Sequence, residues 1–88
     1  MRVRGIDPAV FLKTLSEHPV SVHVISIDMR VRGEFSVTLV HDRLFSGEVF
    51  ERRDGSFVAN PPGPEAKQES LKMALDCIHG EILRRQED

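Results

Sequence analysis

The sequence predicts an α+β fold: a two-layer sandwich in the order α-β-β-β-(β)-α, with both helices on one face of an antiparallel meander sheet. Three observations carry this. Apolar residues recur at helical spacing near both ends, with Phe11, Leu12 and Leu15 early and Leu71, Ala74, Leu75, Ile78 and Ile82 late. Between them the period drops to two from Val20 onward. Turn residues break that middle region at intervals suited to hairpins, most clearly at Asp54-Gly55. The 88 residues make one small domain over residues 1–88, with no internal repeat or low-complexity tract.

The first helix is expected over residues 8 to 17. Asp7 is a good N-cap, and Pro8 suits the first helical position, where its missing N–H costs nothing. Pro19 stops the helix by restricting His18. Val20, Val22 and Val24 then alternate with polar residues, after which the phase slips to Ile25, Ile27, Met29 and Val31. A slip of one residue in a continuous run is the sequence mark of a β-bulge. Phe35, Val37 and Leu39 form the next strand.

Matching apolar faces predicts a three-residue loop, Arg32-Gly33-Glu34, that sets Val31 opposite Phe35, Met29 opposite Val37 and Ile27 opposite Leu39. The turn around His41-Asp42-Arg43-Leu44 pairs Leu39 with Gly47 and Val37 with Val49, with Phe45 inward and Glu48 and Phe50 on the other face. A two-residue turn at Asp54-Gly55 would put Phe57 beside Arg52 and open a short fourth strand, Phe57-Val58-Ala59. The stretch Asn60-Pro61-Pro62-Gly63-Pro64 is a stiff connector. The last helix has two possible starts, Pro64 or a cap at Ser70. Glu65 and Glu69 lie early and Arg84 and Arg85 late, as the helix dipole favours.

Composition excludes several function classes. No run approaches the ~20 apolar residues of a membrane span, and the beginning Met1-Arg2-Val3-Arg4 lacks the apolar core of a signal peptide. The single cysteine, Cys77, fits a reducing compartment, so a cytoplasmic location is expected. Phosphate-loop, nucleophile-elbow and paired-cysteine motifs are missing, and His18, His23, His41 and His79 are scattered without ligand spacing. His41-Asp42 is read as a turn rather than a dyad. Cys77 and His79, two apart on a helix, point in different directions. No enzyme activity, cofactor or metal is expected.

Two surfaces remain as binding candidates. Met73, Cys77 and Gly80 line the side of the last helix away from its apolar stripe. A stripe of small residues lets a second helix approach, which points to a protein-interaction module that self-associates or holds another protein; the alternative is a solvated face. The second surface is the open sheet face, where Arg30, Arg32, Phe50, Arg52 and Phe57 gather. Interleaved arginine and aromatic side chains suit weak single-stranded nucleic-acid binding. Residues 1–53 carry 8 Lys/Arg against 7 Asp/Glu, and residues 54–88 carry 4 against 7, so the basic charge is local to the sheet despite a net charge of −2.

Two family resemblances rest on these same residues. Phe35-Ser36-Val37-Thr38-Leu39-Val40 through Gly47-Glu48, followed by Ala66-Lys67 and Met73-Ala74-Leu75, resembles the double-stranded-RNA-binding domain in element order. That likeness implies RNA contacts from the first helix, the first hairpin loop and the lysines opening the last helix, here Lys67 and Lys72. Asp54 to Ala59, the Pro61-Pro62-Gly63 turn and Ser70 to Leu75 resemble a HicB-type antitoxin domain, over residues 54–88. This second likeness implies inhibition of an RNA-cleaving toxin partner.

Overall fold

The computed structural model describes residues 8–29, 35–52 and 54–86. Helix α1 (Pro8–Ser16) opens on its proline and buries Phe11 completely. Its last carbonyls are closed by Glu17, whose N–H reaches the Lys13 and Thr14 oxygens at 3.2 Å, and Pro19 prevents any continuation. The chain then enters strand β1 (His23–Met29), which pairs with β2 (Phe35–His41).

The phase slip in the sequence is a true bulge. Val24 pairs with Leu39 and Ser26 with Thr38, so Ile25 is the extra residue, and it is 60% exposed. The pairing beyond it differs from expectation by two residues: Ile27 faces Val37 and Met29 faces Phe35. A two-residue shift leaves every side chain on its own face, so apolar alternation cannot distinguish the two registers. The turn residues Arg32, Gly33 and Glu34 lie outside the described residues.

Strand β3 (Phe45–Glu51) pairs with β2 as expected, with Leu39 opposite Gly47 and Val37 opposite Val49. The connecting turn is closed by a 3.0 Å hydrogen bond from the Leu44 N–H to the His41 carbonyl, with Asp42 at φ 50°. Gly47 has a specific reason to be glycine. A Cβ there would lie 2.6 Å from the Phe45 ring and 2.9 Å from the Asn60 carbonyl oxygen, which belongs to the backbone and cannot step aside. Gly47→Ala is therefore expected to destabilise the fold by ~1–3 kcal/mol, read as a lowered urea midpoint at unchanged slope. A midpoint equal to that of the wild type would contradict this packing.

Strand β4 (Phe57–Asn60) corrects the sequence reading of the third turn. Phe57 pairs with Glu51 rather than Arg52, so it faces inward, 5% exposed, and is not on the open face. The loop between Arg52 and Ser56 is one residue longer than a two-residue turn. The Ser56 carbonyl accepts from the Arg52 N–H at 2.8 Å, the Gly55 N–H donates to the Arg52 carbonyl at 3.0 Å, and Gly55 takes φ 90°. Asp54 secures this shape by accepting the Ser56 N–H at 2.9 Å. One added loop residue moves Phe57 and Ala59 to the core and Val58 to the opposite face.

The sheet is thus an antiparallel meander in the order β1-β2-β3-β4. After β4 the peptides Asn60-Pro61 and Pro61-Pro62 are both cis, and Gly63 turns the chain at φ 118°. Both candidate starts of the last helix have a role. Pro64 opens a separate 3-10 turn, Pro64–Ala66, whereas Ser70 caps helix α2 (Leu71–Gln86) through its hydroxyl, which accepts the Met73 N–H at 3.2 Å. Between them Gln68 exchanges two backbone hydrogen bonds with Phe57, at 2.8 and 2.7 Å, and covers part of the outer edge of β4.

One core joins the layers. Leu71, Ala74, Leu75, Ile78 and Ile82 of α2, with Phe11 of α1, pack on Val37, Leu39, Phe45, Val49, Phe57 and Ala59 from one side of the sheet. Both helices therefore occupy a single face, with α2 lying over β3 and β4. No helix among the described residues is long and apolar enough to cross a membrane.

Candidate interaction surfaces

The outer face of α2 presents Met73, Gly80 and Leu83, the first and last being 42% and 45% exposed. A Cβ at Gly80 would meet nothing within 4 Å, so among the described residues no contact calls for glycine there. Cys77 departs from expectation: it is half-buried and packs against the core rather than standing clear on the outer face. It follows Ala74 by three positions and precedes Ile78 by one, which rotates it to the flank of the buried stripe. Burial pushes its thiol pKa up, and Asp76 and Glu81 add to the shift. That is the reverse of what a thiolate nucleophile needs.

Charged residues frame this face. Asp76 is half-exposed and accepts a hydrogen bond from His18 Nε2 at 2.6 Å, which holds its carboxyl below the usual carboxylate range, with Lys72 contributing. Four residues beyond Gly80, Arg84 pairs with Glu81. Arg85 turns toward the sheet and lies 5.0 Å from the Phe45 ring centre.

The sheet face opposite the helices carries two cross-strand rows. One reads Asp28, Ser36, Phe50, Val58, and the other Ser26, Thr38, Glu48, Asn60. Asp28 stands beside Ser36, where Arg30 was expected, because of the two-residue shift in register. Val58 and Ser36 are buried and Phe50 is half-buried, while Arg52 is exposed. Arg30 and Arg32 lie outside the described residues. Phe57 lies on the other side of the sheet, so among the described residues this face pairs one aromatic with two carboxylates. Of the candidate nucleic-acid residues, Phe57 alone is displaced from this face, and Phe50 and Arg52 are the ones described near it.

A third cluster was invisible to sequence reasoning. His18 and His79, from the two helix regions, meet edge to face with ring centres 5.9 Å apart. The Val20 N–H donates to His18 Nδ1 at 3.0 Å, so the ring proton sits on Nε2 and is given to Asp76. With both ring nitrogens hydrogen-bonded, His18 ties the end of the α1 segment to α2. His79 Nδ1 is buried with no hydrogen-bond partner among the described residues. His41 is likewise occupied, with Nδ1 donating to the Ser21 carbonyl at 2.5 Å and Nε2 facing the Gln86 amide at 3.3 Å. These contacts span long sequence separations and depend on how α1 and α2 sit on one another, which local spacing does not encode.

Among the described residues no group of three or more His, Cys, Asp or Glu is arranged to hold a metal ion. Asp54 is committed to its turn. Hydrogen bonds from the Ser56 side chain and backbone, together with Lys67, hold its carboxyl far below the usual range. Comparison of the chain with protein-family models, with curated proteins and with solved structures finds no match. The resemblances to double-stranded-RNA-binding and HicB-type domains rest on the sequence motifs alone.

Proposed function

We propose that this protein is a small non-enzymatic interaction module that self-associates through the outer face of α2, without a cofactor. The observation that carries the reading is Gly80, exposed in the middle of a 16-residue helix with open space where a side chain would be. Glycine in a helix interior costs about 1 kcal/mol relative to alanine. A backbone-to-backbone approach by another helix offsets that cost.

A second copy is the occupant that the charges favour. Asp76 and Arg84 sit four residues either side of Gly80 on this face and have opposite sign. An antiparallel two-fold crossing at Gly80 brings Asp76 of each copy toward Arg84 of the other, each cross pair forming beside or in place of the pairs to Lys72 and Glu81 within the chain. Met73 and Leu83 supply the apolar contacts around the crossing. Exposed ion pairs contribute only about 0–1 kcal/mol each. The charges thus choose orientation, and the close approach at Gly80 provides most of the contact.

Sedimentation equilibrium tests this. The wild type is expected to show a mass well above the 10.0 kDa of one chain, and Gly80→Arg a lower one. A weight-average mass that is the same for both would overturn the helix-face reading.

A further inference from the structure

We infer that the outer edge of β1 is a second self-association surface, on which another copy adds its own β1 antiparallel to form a continuous sheet. Among the described residues β1 is hydrogen-bonded on one side only, to β2. The far edge of β4, by contrast, is partly closed by Gln68. An unpaired strand edge is a template for another strand unless something blocks it, such as charged side chains, proline, a bulge or a covering segment. Strand β1 contains neither lysine nor proline, and Asp28 is its one acidic or basic residue apart from the imidazole of His23. Its apolar residues are also incompletely covered: Val24 and Ile27 are only half-buried against the core, and Ile25 is 60% exposed.

The bulge makes this edge complementary to itself. Val24 and Ile27 are three positions apart, and in a regular strand they would face opposite ways. With Ile25 extra, their partners are Leu39 and Val37, so both face the helical layer, while His23 and Asp28, opposite Val40 and Ser36, both face away. A two-fold axis between Ile25 and Ser26, perpendicular to the sheet, then sets Val24 of one copy opposite Ile27 of the other. The same operation sets His23 opposite Asp28, twice, an imidazole N–H against a carboxylate. A bulge in one edge strand normally spoils pairing. Here the two bulges meet at the axis, two residues against two, and cancel.

This surface is independent of the α2 face, so both together carry assembly beyond a dimer. The test is sedimentation equilibrium in the Gly80→Arg background, with far-UV circular dichroism confirming that each variant folds. Gly80→Arg is expected to remain dimeric, at twice the 10.0 kDa chain mass. Adding Asp28→Lys should weaken that dimer ~10-fold, because two favourable cross-strand pairs become neutral or repulsive. Further adding His23→Asp restores the pairs with reversed sign and should recover the dimer. A folded Gly80→Arg protein that is monomeric would overturn the strand pairing and leave the helix reading intact. A dimer that ignores Asp28→Lys would also overturn it. A wild-type mass lowered by Asp28→Lys but untouched by Gly80→Arg would support strand pairing and remove the helix reading instead.

Discussion

Phe57→Ala is expected to remove ~3–5 kcal/mol of stability, the range for truncating a buried aromatic residue. A domain of this size holds ~5–15 kcal/mol in total, so the variant should be largely unfolded at moderate urea. Phe57 packs in the core beside Leu71 and Ala59, and its backbone also exchanges both hydrogen bonds with Gln68. Truncation therefore leaves the backbone bridge in place and removes only the ring. Had the Asp54-Gly55 turn been two residues long, Phe57 would lie on the opposite face beside Arg52. A loss of about 0.5 kcal/mol or less, the range of a surface substitution, would contradict the burial of Phe57, and urea unfolding followed by circular dichroism measures it.

Phe11→Ala carries an effect of similar size, ~3–5 kcal/mol, for a different reason. Phe11 is the one buried residue of α1, completely enclosed in the shared core. A helix of nine residues does not persist in water without tertiary contacts. Losing the ring should therefore loosen α1 as well as lower global stability, leaving the His18 to Asp76 hydrogen bond as its main tie. Amide hydrogen exchange across residues 11–16 is expected to lose its protection before that of α2. Leu12→Ala, at a position exposed on the same helix, should change stability by about 0.5 kcal/mol or less. Equal effects at positions 11 and 12 would contradict the placement of α1.

The elements with strong periodicity were legible in the sequence. The slip from Val24 to Ile25 marked the bulge, and the Leu71 to Ile82 stripe marked the buried face of α2, because each feature is local. The pairing of Leu39 with Gly47 followed from matching faces across a short turn. The misplacement of Phe57 has a plain cause: Phe57, Val58 and Ala59 are all apolar, so alternation does not choose which of them faces the core. Asp-Gly also serves turns of more than one length, and the choice rests on the Arg52 to Ser56 backbone bonds. The shift in register between β1 and β2 escaped notice because a shift of two preserves faces. Of the candidate interaction residues, Gly80 and Met73 stand on the outer face of α2, whereas Cys77, three positions after Ala74 and one before Ile78, stands at the flank of the core by the same helical spacing. The His18, Asp76 and His79 cluster depends on how α1 sits on α2, which no local pattern specifies.

Self-association is the central claim, and sedimentation equilibrium over a range of concentrations tests it most directly. The wild type should show a weight-average mass that rises with concentration above 10.0 kDa, and the combined Gly80→Arg and Asp28→Lys variant should need ~10-fold higher concentration than Gly80→Arg alone to rise above the mass of a single chain. A folded wild type that sediments as a single chain at every concentration would contradict the account.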